Sequence, residues 1–313
     1  MSVGKILVLG GSGFVGRHLV NRLVVDGWFV VVPTRQRERA RHLIVLPTVD
    51  VLEADVHDPA ALAQLAAGAN AAINLVGILN ESHRGDFERA HTELARKLID
   101  ACRTAAVPRL LQMSALNADP AGPSRYLRSK GAAEALVAES PLAWTILRPS
   151  VIFGREDSFL NLFARLQRLL PVIALACANA RFQPVYVGDV ARAFVQALHD
   201  DRSHRRRYAL CGPEVYTLRE LVAYVGELTG HRRPIVPLGA ALGSLQAWLL
   251  EMLPGALLSR DNLASMTVDS VCDGSLPPLF AAPPTALEAI APQYLSPAAT
   301  RSRYSALRAQ GGR

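Results

Sequence analysis

Cysteine is scarce and scattered in this chain: four in 313 residues, at Cys102, Cys177, Cys211 and Cys272, with no C-x-x-C pair. That excludes a zinc ribbon or a thioredoxin-type redox motif, and the apolar stretches around three of them read as free cysteines acting as small hydrophobes. The eight histidines show no H-E-x-x-H or other ligand spacing, so no metal site is expected. No G-x-S-x-G marks a hydrolase. Aromatic residues make up only 6% of the chain, with no RNP-type signature and no continuous basic helix. The net charge of +7 is therefore not read as nucleic-acid binding. Long apolar runs are missing too. The most apolar late region, Leu238 to Leu258, is interrupted by Gln246, Glu251 and Pro254 and falls short of the ~20 residues that span a bilayer. It reads as a buried helix, with a membrane-surface or partner-facing helix as the alternative. The first residues carry one lysine and a short apolar run that ends in glycines, with no small-residue cleavage site. No secretory leader is expected, and a reducing cytoplasm fits.

What remains is an ordinary globular composition, 50% hydrophobic and 19% charged, long enough for one large or two modest domains. Lys5 to Leu9 is a continuous β-type run, as in a strand buried on both faces. Apolar residues from Val15 to Val24 then recur at helical spacing, and Gly27 suits a C-terminal cap. Further strands are expected at Trp28–Val32, Val49–Ala54, Ala71–Val76, Leu110–Met113 and Trp144–Leu147. Helices are expected at Pro59–Leu65, capped by Asp58, at Phe87–Ala105 and at Ser129–Glu139. Such alternation predicts an α/β fold: a Rossmann-type, doubly wound parallel sheet over residues 1–150. Residues 151–298 form a smaller, partly interleaved substrate or partner lobe, and 299–313 a loosely ordered tail.

Gly10, Gly13 and Gly16 set a G-x-x-G-x-x-G loop between the first strand and the first helix. Glycines let backbone approach a pyrophosphate, and the helix N-terminus offers free N–H groups to the anion. Ser12, Phe14 and Val15 complete this cofactor loop. After the second strand comes Pro33-Thr34-Arg35-Gln36-Arg37, with no acid until Glu38. A carboxylate there would bond the ribose 2′-hydroxyl of NAD(H). A guanidinium at Arg35 instead suits a 2′-phosphate, so NADP(H) is favoured over NAD(H).

Ser114 ends the fifth strand, and Tyr126 and Lys130 follow as a Y-x-x-x-K whose spacing puts both on one helix face. An ammonium beside the phenol favours the phenolate and lowers its pKa, which would let Tyr126 act as acid or base on a hydroxyl or carbonyl. Ser114 would hold the same oxygen. His91 reads as a packing or solvent-facing histidine, and Asp189 as the cap of a helix starting at Val190.

These residues resemble the extended or atypical short-chain dehydrogenase/reductase superfamily, of the NAD-dependent epimerase/dehydratase kind. The resemblance rests on G-G-S-G-F-V-G (10–16), A-D-V (54–56), L-V-G (75–77), S-A-L (114–116), Y-L-R-S-K (126–130) and L-R-P-S-V-I-F-G (147–154). Q-P-V-Y-V-G-D-V-A (183–191) and G-P-E-V-Y-T-L-R-E-L (212–221) extend it to about residue 230. S-R-Y-L-R-S-K (124–130), Q-P-V-Y-V and S-R-D-N-L (259–263) are most similar to the branch of the nucleotide-binding accessory subunit of respiratory complex I. The resemblance implies that Asp55 and Val56 lie beside the adenine, Val76 and Gly77 beside the cofactor backbone, and Pro149 to Val151 near the nicotinamide. The chain departs from the pattern in two places. Ser114 and Tyr126 are only 12 residues apart, about half the usual separation in extended members, and Cys177-Ala178-Asn179-Ala180 stands where a glycine-containing segment is expected.

Two functions are compatible with this pattern. One is an NADP(H)-dependent oxidoreductase that moves a hydride to or from a carbonyl or alcohol carbon of an unknown small molecule, with Ser114, Tyr126 and Lys130 as its catalytic residues. The other is a non-catalytic NADPH-binding accessory or assembly protein, linked to respiratory complex I or quinone biosynthesis. It would be cytoplasmic or peripheral at the inner face of the membrane.

Overall fold

The computed structural model describes residues 4–251, 258–274 and 282–296. The late Pro-rich segment and the tail from 299 lie largely or wholly outside them.

Along the chain run β1 (Lys5–Leu9), α1 (Phe14–Val25), β2 (Phe29–Thr34), β3 (Val49–Glu53), α2 (Pro59–Ala66), β4 (Ala71–Asn74), α3 (Leu94–Thr104), β5 (Arg109–Met113), α4 (Arg125–Glu139) and β6 (Ala143–Pro149). Then follow α5 (Phe159–Leu169), β7 (Ile173–Ala176), α6 (Val187–His199), β8 (Arg206–Leu210), α7 (Leu218–Thr229), β9 (Ile235–Leu238) and α8 (Ala240–Glu251). Seven strands pair in the order β8-β6-β5-β4-β1-β2-β3, all parallel. The order reverses between β1 and β4, where the carboxyl ends of the strands open a ligand crevice in sheets of this kind.

Residues 4–149 and 187–210 belong to one compact unit, and 150–186, 211–251, 258–273 and 283–296 to another. In the first unit, Ile6 to Leu9 of β1 are fully buried, as a strand covered on both faces requires. Its core joins Leu7 and Leu9 to Leu94 and Leu98 of α3 and to Val137 of α4. Arg109 is buried at the start of β5, and its guanidinium donates to the carbonyls of Ala143 and Ala197 and to Thr145 and Ser203. That ties α6 to the sheet. The second unit has its own core, built on Phe153, Phe163, Leu175 and Leu221.

Several expectations are corrected. The helix placed at Ser129–Glu139 starts at Arg125, because Ser124 caps it by accepting from the Leu127 N–H at 3.0 Å. The helix placed at Phe87–Ala105 opens with a wider π-type segment, Glu88–Glu93. Asp189 does not cap a helix at Val190; α6 already begins at Val187, and Asp189 accepts from Arg192 within its first turn at 2.8 Å. Cys211 and Cys272 form a disulfide in the second unit, so only Cys102 and Cys177 are free. The cysteine argument for a reducing compartment falls with it. Nor is the Leu238 region a buried helix: α8 exposes Leu242, Leu245, Trp248 and Leu249. No helix among the described residues is long and apolar enough to cross a membrane.

Candidate functional site

The glycine loop follows β1 directly. Gly10 has φ +75°, and a Cβ there would lie 3.1 Å from the backbone of Leu75 and Val76. A side chain would be strained and crowded at once. Gly16 lets α1 approach the loop, since a Cβ would come within 2.3 Å of the Gly10 carbonyl oxygen. Gly13 differs: it is exposed, and an added Cβ would meet only that same oxygen, at 3.2 Å. Its free side, at the N-terminus of α1, is the cradle that a pyrophosphate fits and a side chain would fill. Ser12 and Phe14 flank it half-buried, and Val15 is buried beneath.

Arg35 follows the last residue of β2, is exposed, and makes no ion pair among the described residues. The first acid beyond it, Glu38, is already held by Arg41. Asp55 turns its carboxylate back to accept from the His57 N–H at 2.9 Å, and Val56 packs on the core of the unit. Val76 packs there too, and its N–H donates to Asn74, itself anchored to Gln112. Pro149 ends β6, and its carbonyl accepts from the Leu116 N–H. Val151 belongs to the second unit.

Gly77 is where the chemistry converges. A Cβ there would lie 2.9 Å from Lys130 Nζ and 3.6 Å from His91 Nε2, so a side chain would push the ammonium from its present position. Lys130 is buried on α4, and within the described residues its ammonium makes no hydrogen bond. Burial lowers its pKa to about 8, against the opposing pull of Glu134 one turn further on. Glu134 is itself buried and takes the guanidiniums of Arg148 at 2.8 Å and Arg207 at 3.2 Å.

His91, from the π-type segment, bridges this loop to α4. The Ile78 N–H donates to Nε2 at 3.2 Å, Nδ1–H donates to Ser129 Oγ at 2.8 Å, and Ser129 donates onward to the Tyr126 carbonyl at 2.8 Å. One neutral tautomer satisfies all three bonds. Burial, with Lys130 nearby, holds the imidazole at about 2, well below its usual value. The sequence reading missed this role, because a histidine four residues after Phe87 carries no motif. Glu134 was legible as an acid one helical turn beyond Lys130, but was not read.

Tyr126 presents its ring edge-on to Phe87 and His91. Burial pushes its phenol up to about 12, opposite to the lowering expected from a neighbouring ammonium. Ser114 is buried where β5 ends, and its hydroxyl has no hydrogen-bond partner among the described residues. An unsatisfied buried hydroxyl costs about 1–3 kcal/mol, which a ligand accepting from or donating to it would recover. A cradle beside Gly13, an unpartnered ammonium and an unpartnered hydroxyl together fit a dinucleotide and a small polar group. No His, Cys, Asp and Glu cluster among the described residues fits a metal.

Comparison with known proteins agrees with this geometry. Residues 10–161 match the model of a family described as NAD(P)H-binding, and 117–220 that of the 3-beta hydroxysteroid dehydrogenase/isomerase family. The chain is 35% identical over 288 residues to the NADH dehydrogenase [ubiquinone] 1 alpha subcomplex subunit 9 of Arabidopsis thaliana, covering 86% of this chain and 71% of that protein. It is 33% identical over 198 residues to a ceramide reductase of Caulobacter vibrioides, 61% of this chain and 60% of that one. A nucleoside-diphosphate-sugar epimerase from Staphylococcus aureus shares the fold, with a TM-score of 0.73 at 17% identity over 91% of this chain and 98% of that chain.

Proposed function

The chain belongs to the family of the complex I alpha subcomplex subunit 9 proteins, and from that premise we propose that it is an accessory protein that holds NADP(H) as a resident ligand. Gly10, Gly13 and the N-terminus of α1 would bind the pyrophosphate, Arg35 the 2′-phosphate, and Lys130 the ribose. When bound, the nucleotide supplies a hydride-carrying nicotinamide. The chain's own residues bind and orient it. The observation that carries the accessory reading is Tyr126: a phenol pushed up to about 12 is a poor base near neutrality, while the nucleotide-holding groups stand ready. Its partner would be a respiratory or quinone-linked assembly like that named for its relatives.

A second reading is favoured by Ser114 and by the ceramide reductase relative. In it Ser114 and Tyr126 hold and protonate a substrate oxygen, as an NADP(H)-dependent oxidoreductase requires. Purification discriminates the two. The accessory reading expects nucleotide retained through gel filtration, NADPH bound at least about tenfold tighter than NADH, and loss of that preference in Arg35→Asp. It also expects no NADPH oxidation against a panel of carbonyls and quinones. Turnover that falls about 10² to 10⁴-fold in Tyr126→Phe would hand the function to the oxidoreductase. Equal affinity for NADPH and NADH in the parent protein would remove the assignment to Arg35.

A further inference from the structure

Helix α8 is turned inside out. At 100° per residue, its exposed Leu242, Leu245, Trp248 and Leu249 fall within an arc of about 120°. The buried side carries only Gly243 and Ala247. A helix packed by its small residues, with its large apolar ones at 43 to 60% exposure, presents a surface rather than a core.

The neighbouring elements extend that surface. A Cβ on Gly243 would lie 3.0 Å from Ala176 of β7, and Gln246 donates to the Ala174 carbonyl at 2.9 Å. Helix α8 therefore runs antiparallel to β7, and Trp248 and Leu249 head toward the strand's start. The exposed Leu169, Leu170 and Val172 lead into that start. Strand β9 pairs with β7 alongside and exposes Val236.

Charge gathers at the same end. Ile173 donates to the Pro234 carbonyl at 2.9 Å, and Arg233 donates to the Gln167 carbonyl at the end of α5, next to exposed Arg168. Arg232 is exposed beside them, bridged to Glu227 at 3.1 Å. From 228 to 250 the sequence has no acidic residue, and Glu251, which ends α8, is paired with Arg260 at 2.9 Å.

We propose that this face docks on a bilayer surface containing anionic phospholipid, with α8 lying in the interfacial plane. Leucines beside a tryptophan, rimmed by arginines, match what such an interface takes up: apolar side chains below the headgroups and guanidiniums among the phosphates. No helix among the described residues is long and apolar enough to span, so α8 would lie on the membrane. Charge argues against a second copy of the chain as occupant. A two-fold contact would set Arg168, Arg232 and Arg233 against their own copies.

Flotation of the full chain with phosphatidylcholine vesicles, with and without phosphatidylglycerol, tests the proposal. Wild type is expected to float with the anionic vesicles, weakly with the neutral ones, and less as salt rises. A Leu245→Ser, Leu249→Ser variant changes two exposed side chains and should keep its melting temperature while losing at least about tenfold in vesicle affinity. Quenching of Trp248 by brominated lipid, absent in Trp248→Phe, reads the same contact in the otherwise unmodified chain. Three results would overturn it: no flotation at physiological salt, equal flotation of the double variant, or a wild-type dimer without vesicle binding that the double variant dissolves.

Discussion

Nucleotide affinity should fall about tenfold between pH 7 and pH 9, with Lys130 as the cause. In the free protein its pKa is about 8, so roughly nine in ten molecules carry the ammonium at pH 7 and one in ten at pH 9. An anionic dinucleotide beside the ammonium raises that pKa in the complex, so binding takes up a proton across this window and weakens by about 1.4 kcal/mol. The neighbours do not interfere, since His91 titrates near 2 and Tyr126 near 12. Without nucleotide the trend is opposite. An unfolded lysine keeps its proton to about pH 10, whereas folded Lys130 releases it near 8, so from pH 8 to 10 the unfolded chain binds more protons and the free protein gains stability. The full shift is worth about 3 kcal/mol at most for this buried group. Calorimetric titration with NADPH at pH 7, 8 and 9, beside melting curves with and without nucleotide, reads both slopes. An affinity flat across this range, or the same slope in Lys130→Met, would refute the assignment of the ammonium to the nucleotide.

Gly13→Val should abolish NADPH binding while shifting the melting temperature little, because its Cβ meets only the Gly10 carbonyl oxygen; differential scanning fluorimetry with and without nucleotide measures both. His91→Leu leaves the Ile78 N–H without its acceptor, while Ser129 keeps its bond to the Tyr126 carbonyl, and should cost about 1–3 kcal/mol in a urea melt, with His91→Gln recovering part of it. Cys272→Ser, or reduction, opens a loop of 61 residues and should lower stability by about 4 kcal/mol, the upper range for a crosslink of that span; an unchanged urea midpoint under reductant would show that the bond does not form in solution.

The first unit was largely legible because its signals are local. A buried strand announces itself as Ile6-Leu7-Val8-Leu9, a phosphate loop as three glycines at fixed offsets, and a cap as Asp58 before Pro59. That Tyr126 and Lys130 stand four residues apart on one helix followed from spacing alone. What spacing could not give was the sign of the Tyr126 shift. Phe87 and His91 pack on the ring from a segment some 35 residues earlier, and burial is what raises the phenol. Gly77 shows the same thing from the other side: a side chain there would displace the ammonium of a lysine 53 positions away.

The second unit was harder to read for a different reason. Hydrophobic periodicity identifies which residues of a helix share a face, but not which face turns inward. In most helices the larger apolar residues win the core because burying them releases the most water-exposed surface. In α8 that rule predicts Leu242, Leu245 and Trp248 inside. The structure instead seats Gly243 against Ala176 of β7, where an added Cβ would lie 3.0 Å away, and buries Ala247 one turn further on. Close backbone approach decides the inward face, and the leucines go outward by exclusion. The apolar surface produced this way is the one the proposed bilayer contact would cover, with the arginines at its rim facing anionic headgroups.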